Sequence, residues 1–230
     1  MESATTFGFA HFLAHIDGVG RLVLFILLVL SMISWYLIIT RTLAFTLAKR
    51  HAAAFLQQFW QAHSLAEAGT LLTRQPADTA FAELTRQALQ AQKDINTGDT
   101  QKLVVAGGAT DYLTRVLRNG LDLEAAHSEF GLTILATVGS AAPYVGLFGT
   151  VWGIYHALIQ IGISGQGTLD KVAGPVGEAL IMTALGLAVA IPAVLAYNAF
   201  SRRNQLWMAR LDAFAHDLLT LAILGNHAPR

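Results

Sequence analysis

Glu178 is the most informative residue of the chain, because this acid lies at the beginning of a segment that is long and apolar enough to cross a membrane. Residues 179–201 follow it without a single Asp, Glu, Lys or Arg. Charged side chains in such a segment cost roughly 2.5–3.5 kcal/mol, and those that persist usually face a bundle interior or water and often carry ions. Glu178 is therefore a candidate proton carrier. The alternative is a neutral structural acid that is hydrogen-bonded to a neighbouring helix.

Two stripes of small residues accompany this acid on neighbouring apolar segments. Helical spacing of 100° per residue puts each set on one narrow face. The first set is Gly139, Pro143, Gly146, Thr150, Gly153 and Ala157, and the second is Ala179, Thr183, Gly186, Ala190 and Ala193. Small residues let helix backbones approach closely in lipid, so helix packing accounts for the glycines and alanines. The two threonine hydroxyls either bond their own helix carbonyls or line a polar path.

Prolines give further information about the helices that position Glu178. Pro175 predicts a helix start, where its missing N–H does no harm. Glu178 would then lie in or next to the first turn, where free N–H groups favour its ionised form and burial favours its neutral form. It also lies about 100° from the threonine stripe of its own helix. Pro143 and Pro192 lie inside apolar segments and predict helix kinks.

His156 lies in the second apolar segment. It is either a proton relay or a packing residue.

The distribution of charge predicts three transmembrane helices. Of the residues, 54% are apolar and 13% are charged, and residues 22–40 and 130–169 contain no charged side chain. Each gap can hold a span of about 20 apolar residues, and the segment after Glu178 makes a third. We place the spans at 22–40, 131–163 and 174–200. No strand-like alternation is present, so the predicted fold is an all-α membrane protein with long helical extensions.

Basic residues near the span ends predict the orientation of the chain. One side of the membrane would carry most of them, namely Arg41, Lys49, Arg50, Arg115, Arg118, Arg202, Arg203 and Arg210. The other side would carry Arg21 and Lys171. Positive charge favours the cytoplasmic side, so residues 41–130 and 201–230 are predicted to be cytoplasmic. The N-terminal residues 1–21 and the link 164–173 are then predicted to lie outside.

The cytoplasmic regions are predicted to be helical. Ser64 and Glu67 fit a capping box. Residues 103–129 are compatible with a helix that runs straight into the second span, although Gly107-Gly108 weakens it. Residues 204–224 are amphipathic, and we expect them to extend the third span and pack on the other soluble helices. Their apolar stripe is Trp207, Leu211, Phe214, Leu218 and Leu221.

No sequence motif indicates an enzyme. An intramembrane enzyme needs a nucleophile with a base or paired metal ligands, but the chain has no HExxH or GxSxG motif and its histidines are scattered. It has no cysteine, which excludes disulfides, thiolate metal sites and thiol chemistry. We therefore expect no enzymatic activity, no metal and no cofactor. Fifteen basic and fifteen acidic residues cancel, so net charge indicates no nucleic-acid partner.

Longer motifs identify a family. Residues 139–154, GSAAPYVGLFGTVWGI, closely resemble the second-span motif of the ExbB/TolQ/MotA proton-channel family. Residues 174–180 (GPVGEAL), 183–187 (TALGL) and 190–194 (AIPAV) resemble its third-span motif. The resemblance covers essentially the whole chain. One departure is the shifted proline: the family commonly has APGIAE where residues 173–178 have AGPVGE.

This resemblance implies a subunit of a motor in the bacterial inner membrane, with its outer segments in the periplasm. It implies a homo-pentameric ring around a dimer of an ExbD-like single-span protein, and a proton pathway through Thr150, Glu178 and Thr183. In the ExbB type, the complex uses the proton-motive force to energise a TonB-like protein for outer-membrane import of siderophores and vitamin B12. In the TolQ type, the partner is TolR and the complex acts with TolA on outer-membrane integrity. Motif details favour the ExbB type, and a passive scaffold with a structural Glu178 is the remaining alternative.

Overall fold

Long α-helices form the fold. The computed structural model describes residues 17–62, 65–74, 79–97, 107–164 and 169–225, which contain helices and no strand. In chain order the helices are α1 (Gly18–Phe59), α2 (Leu65–Arg74), α3 (Ala80–Asn96), α4 (Ala109–Glu129), α5 (Leu132–Ser164) and α6 (Leu169–Gly225). Within the described residues, three segments are long and apolar enough to cross a membrane: Gly18–Phe59, Ala109–Ile163 and Val176–Ile223. The predicted all-α class and the predicted number of membrane-capable helices are therefore confirmed, while the bounds of the spans stay a prediction.

The chain divides into two compact units. One combines Met1–Thr40 with Gly131–Phe200 and is called the spanning unit here, and the other combines Arg41–Phe130 with Ser201–Arg230 and is called the helical unit. Helices α1 and α6 supply residues to both units. Each unit has its own apolar core.

Apolar residues from α1, α5 and α6 form the core of the spanning unit. Leu27 of α1, Leu135 of α5 and Met182 of α6 are all almost fully buried in it. Many large apolar side chains of the same unit remain exposed, among them Phe25, Tyr144 and Leu195. Such exposure suits a lipid environment, in which helices associate through close packing rather than through removal of apolar surface from water.

Aromatic residues form the centre of the helical unit. The Phe81 ring packs edge-on against Phe214 and against Trp207, with 5.2 Å between ring centroids in each case. Of the stripe predicted on α6, Leu211, Phe214 and Leu218 are buried. Leu221 was wrongly assigned to it: this side chain is 37% exposed and Ala222 is buried instead. The buried positions advance by four residues there, because an α-helix repeats every 3.6 residues.

Glycines with positive φ interrupt the helices before the second span. Gly107 and Gly108 have φ of 85° and 123°, and α4 begins directly after them. Gly131 has φ of 80° and separates α4 from α5. Left-handed backbone is cheap for glycine and ends a regular helix, so α4 does not run straight into the second span as the sequence suggested. Ser64 of the predicted capping box lies outside the described residues.

The predicted helix start at Pro175 is wrong. Helix α6 begins at Leu169, so Pro175 lies within the helix and Glu178 lies beyond its first turn. Membrane helices contain internal Gly and Pro more often than soluble helices do, because neighbouring groups satisfy the freed backbone atoms. The free N–H groups of a helix start are therefore not available to Glu178 in the way the sequence suggested.

Candidate functional site

The hydroxyl groups of Thr150 and Thr183 meet inside the spanning unit. Thr150 Oγ1 of α5 lies 2.5 Å from Thr183 Oγ1 of α6. It also lies 3.1 Å from the carbonyl oxygen of Gly146 and 3.1 Å from that of Ala179. Thr150 is only 6% exposed. The two threonines thus form a buried polar contact that bridges α5 and α6.

Close approach of the two helix backbones makes this contact possible. A Cβ atom on Gly146 would lie 2.6 Å from the Met182 carbonyl oxygen and 3.0 Å from Gly186 Cα. A Cβ atom on Gly186 would lie 2.7 Å from the Ala142 carbonyl oxygen. Both distances are too short for a real side chain, so the interface requires glycine at these positions. Further stripe residues lie in the same interface: Gly139 against Val194, and Gly153 against Ala179.

Glu178 lies on the same helix as Thr183. It is partly buried, and the next residue is Ala179, whose carbonyl oxygen lies near the Thr150 hydroxyl. The structure therefore brings Thr150 and Thr183 into contact and puts Glu178 directly before a residue of their interface. Ala190, another member of the α6 stripe, is buried in the core of the spanning unit.

A second polar contact joins the start of α1 to α5. The indole Nε1–H of Trp152 donates to Asp17 Oδ2 at 2.6 Å, and the Gly20 backbone N–H donates to Asp17 Oδ1 at 2.8 Å. The His156 ring lies 5.3 Å from the Trp152 ring, centroid to centroid. Burial raises the pKa of Asp17, but the hydrogen bonds from Trp152 and Gly20 and the nearby His156 outweigh it, so the pKa is lower than usual.

Asp17 is not among the site residues that the sequence predicts. No local signal could have paired it with Trp152, because the two residues are 135 positions apart in the chain. An acid directly before an apolar helix is typical of a helix cap, and Asp17 does act as one through Gly20. Its second role, as the acceptor for Trp152, depends on how α1 packs against α5.

Comparison with known proteins decides the family. Residues 77–213 match the MotA/TolQ/ExbB proton channel family. The chain belongs to this family. The matched region contains Thr150, Glu178 and Thr183. The predicted resemblance is thereby confirmed, and the three helices that are long and apolar enough to cross a membrane agree with membership of this family.

Relatives of two kinds are similar over most of the chain. Biopolymer transport protein ExbB of Xanthomonas campestris pv. campestris (strain B100) is 41% identical over 227 residues, which cover 95% of this chain and 90% of the relative. The protein of the same name from Neisseria meningitidis serogroup A is 40% identical over 193 residues, with 84% and 87% covered. Tol-Pal system protein TolQ of Pseudomonas aeruginosa is 36% identical over 200 residues, with 86% and 85% covered.

Proposed function

We propose that this MotA/TolQ/ExbB family member is the proton-channel subunit of an ExbB-type motor. It works with an ExbD-like single-span protein and uses the proton-motive force to energise a TonB-like protein. That protein then drives outer-membrane import of siderophores and vitamin B12. The observation that carries this proposal is the buried contact between Thr150 and Thr183, on a helix pair that also bears Glu178.

The chemistry of these groups suits proton movement through an apolar bundle. A threonine hydroxyl both donates and accepts hydrogen bonds, so two hydroxyls in contact can pass a proton without carrying a charge at rest. Glu178 can change its charge, which a hydroxyl does not do at neutral pH. Each proton that crosses the membrane inward releases about 2.3 kcal/mol per 100 mV, and capturing this energy requires a titratable group within the membrane. In the proposal, Glu178 and an acid of the partner supply that group.

The proposed motor has a defined assembly and orientation. Five copies form a ring around a dimer of the ExbD-like protein in the bacterial inner membrane. Residues 1–21 and the link 164–173 lie in the periplasm, while residues 41–130 and 201–230 lie in the cytoplasm. The excess of basic residues on one side supports this orientation. Reporter fusions after Gln90 and at the C-terminus should be cytoplasmic and a fusion after Gln166 periplasmic, whereas a cytoplasmic signal after Gln166 would overturn it.

Replacement of Glu178 tests the proposal directly. Glu178→Gln keeps the size of the side chain and most of its hydrogen bonding but cannot titrate. Co-reconstituted with the single-span partner in liposomes, this variant should assemble normally by native mass spectrometry yet lose proton flux. Glu178→Asp should retain part of the flux, and Thr150→Ala and Thr183→Ala should reduce it less, because water can replace a hydroxyl.

An acid outside the spanning unit provides the matched control. Glu129 is exposed on α4, so Glu129→Gln removes one carboxylate without touching the threonine contact. We expect wild-type flux from this variant. Wild-type flux and wild-type energised uptake from Glu178→Gln would instead favour a passive scaffold in which Glu178 has a structural role.

A TolQ-type function is the second candidate, because a TolQ relative is 36% identical over 86% of this chain. The ExbB type is favoured by 41% identity over 95% of the chain. The two are separated by expressing the protein in bacteria that lack either ExbB or TolQ. Restored TonB-dependent siderophore uptake supports the ExbB type. Restored resistance to detergent without restored uptake supports a TolQ-type subunit that energises TolA.

A further inference from the structure

Helix α5 lacks one backbone hydrogen bond at Pro143, which lies among the residues that meet α6. Pro143 lies inside the helix, where it removes one backbone hydrogen bond, the one that the N–H at position 143 would make with the carbonyl of Gly139. Prolines are the commonest cause of sharp helix kinks. Residues 144–164, called the distal half of α5 here, are therefore less firmly tied to the rest of the helix. This half contains Thr150 and Trp152, so its orientation depends on contacts with other helices.

Close packing is the first restraint on the rotation of the distal half. It packs on α6 through Gly146, and a Cβ atom on Gly149 would lie 3.0 Å from Val23 Cγ1 of α1. Contacts between apolar surfaces are non-directional, so they restrain rotation through steric fit alone. A hydrogen bond, in contrast, weakens steeply when its angle departs from linearity. The bond from Trp152 Nε1 to Asp17 is such a directional contact.

The acceptor of this bond is itself held in place. One oxygen of Asp17 accepts from the Gly20 N–H and thereby caps α1, and the other accepts from Trp152. Hydrogen bonds to an ionised carboxylate are roughly twice as strong as neutral ones. The rings of Phe148 and His156 lie near the Trp152 ring, at 6.4 and 5.3 Å between centroids, and limit its rotation. The Trp152 side chain is thus fixed at both its polar edge and its faces.

Trp152 and Thr150 are two positions apart, so they point about 200° apart around α5. Trp152 is held by α1 and Thr150 meets α6. We propose that Asp17 is a positioning residue whose carboxylate, through Trp152, sets the rotation of the distal half of α5 that brings the Thr150 hydroxyl onto Thr183. The consequence for proton flux rests on the proposed function, whereas the alignment of the two threonines does not.

Cysteine cross-linking measures this alignment without any transport. The chain has no cysteine, so a Thr150→Cys/Thr183→Cys pair has no competing thiol. The two oxygen atoms lie 2.5 Å apart, which puts sulfur atoms at these positions within reach of a disulfide. The pair is expressed in the full chain with its single-span partner, and the rate of disulfide formation in membranes is recorded under a fixed oxidant concentration.

Five variants of the cysteine-pair protein then test the role of Asp17. Asp17→Asn removes the charge, and Trp152→Phe removes the N–H donor but keeps a planar ring. Asn has one acceptor oxygen for the two donors, Gly20 N–H and Trp152 Nε1–H, so both changes disrupt the same contact. Each should slow cross-linking several-fold, and the double variant should be no slower than the slower single variant. Asp17→Glu retains an ionised acceptor and should recover at least half of the rate. Trp35→Phe makes the same tryptophan change at an exposed position of α1 and should leave the rate unchanged.

Unchanged cross-linking in both Asp17→Asn and Trp152→Phe would overturn the positioning role. Effects that multiply in the double variant would also overturn it, because they would show that the two side chains act independently. Proton flux through chains with intact threonines provides the second measurement, and it should fall several-fold in the same two backgrounds. Because cross-linking needs no flux, its failure removes only the positioning role, while normal flux in Glu178→Gln removes only the proposed function.

Discussion

Substitution of Gly146 by alanine gives the sharpest test of the α5–α6 interface. The added Cβ would lie 2.6 Å from the Met182 carbonyl oxygen, and ordinary van der Waals contact begins at 3.4 Å. The two nearest atoms, the Met182 carbonyl oxygen and Gly186 Cα at 3.0 Å, both belong to the backbone, so no flexible side chain can move aside. The two helices must separate locally by about 0.8 Å, and overpacking of this kind typically costs about 1–3 kcal/mol. For a chain of this size that corresponds to a fall in Tm of roughly 2–12 °C.

The assay is thermal unfolding of the purified protein in detergent, with proton flux measured in parallel. Gly162→Ala is the matched control on the same helix, since a Cβ there meets nothing within 4 Å. Alanine is the better helix former by about 1 kcal/mol, so the control should unfold at the wild-type temperature or above it. The Gly146→Ala variant should also show reduced flux, because separation of the helices stretches the contact between Thr150 and Thr183. An equal or higher Tm in Gly146→Ala would refute the inferred backbone contact.

Three further predictions concern single polar groups. Ser34 is 1% exposed, and its hydroxyl has no hydrogen-bond partner within the described part of the chain. Ser34→Ala should therefore leave the free energy of unfolding unchanged or raise it by up to about 1–3 kcal/mol, with a Tm equal to or above that of the wild type. Thr79 caps α3 by accepting from the Ala82 N–H, so Thr79→Ala should cost about 1 kcal/mol and Thr79→Ser should cost less. Asp17 faces Trp152, the Gly20 N–H and His156, and its pKa is lower than usual. Its ionised form therefore stabilises the folded state, and this contribution is lost only when the carboxylate is protonated. The Tm difference between wild type and Asp17→Asn should hold from pH 7 to pH 5 and shrink only below about pH 4.

Properties that depend on one helix could be predicted from the sequence. The charge-free gaps predicted three membrane-capable helices, because a lipid environment excludes charged residues over a fixed length of chain. The 100° periodicity grouped Thr150 with Gly146 and Thr183 with Gly186, and these four residues do meet in the structure. Each inference needed only the spacing of residues on one helix and a general rule about lipid.

Properties that depend on two helices, or on where a helix ends, could not be predicted in this way. The start of α6 at Leu169 was missed because Pro175 is compatible both with a helix start and with a membrane helix interior. The contact between Asp17 and Trp152 depends on the packing of α1 against α5, to which neither local sequence contributes a signal. The exchange of Leu221 for Ala222 in the helical core follows from small phase errors that accumulate along a long helix.

The number of acceptors around the Thr150 hydroxyl has a consequence for the direction of the proposed proton transport. Its hydroxyl has one proton but three acceptors within reach: the Gly146 and Ala179 carbonyl oxygens at 3.1 Å and Thr183 Oγ1 at 2.5 Å. A proton that is relayed through two hydroxyls leaves both of them turned round, and they must rotate back before the next transfer. The carbonyl oxygens of Gly146 and Ala179 lower the cost of this rotation, since the Thr150 hydroxyl can donate to one of them when it does not donate to Thr183. If the proposed pathway runs through these two hydroxyls, they can pass a proton equally well both ways, and the direction of flow has to come from the membrane potential and from titratable groups such as Glu178.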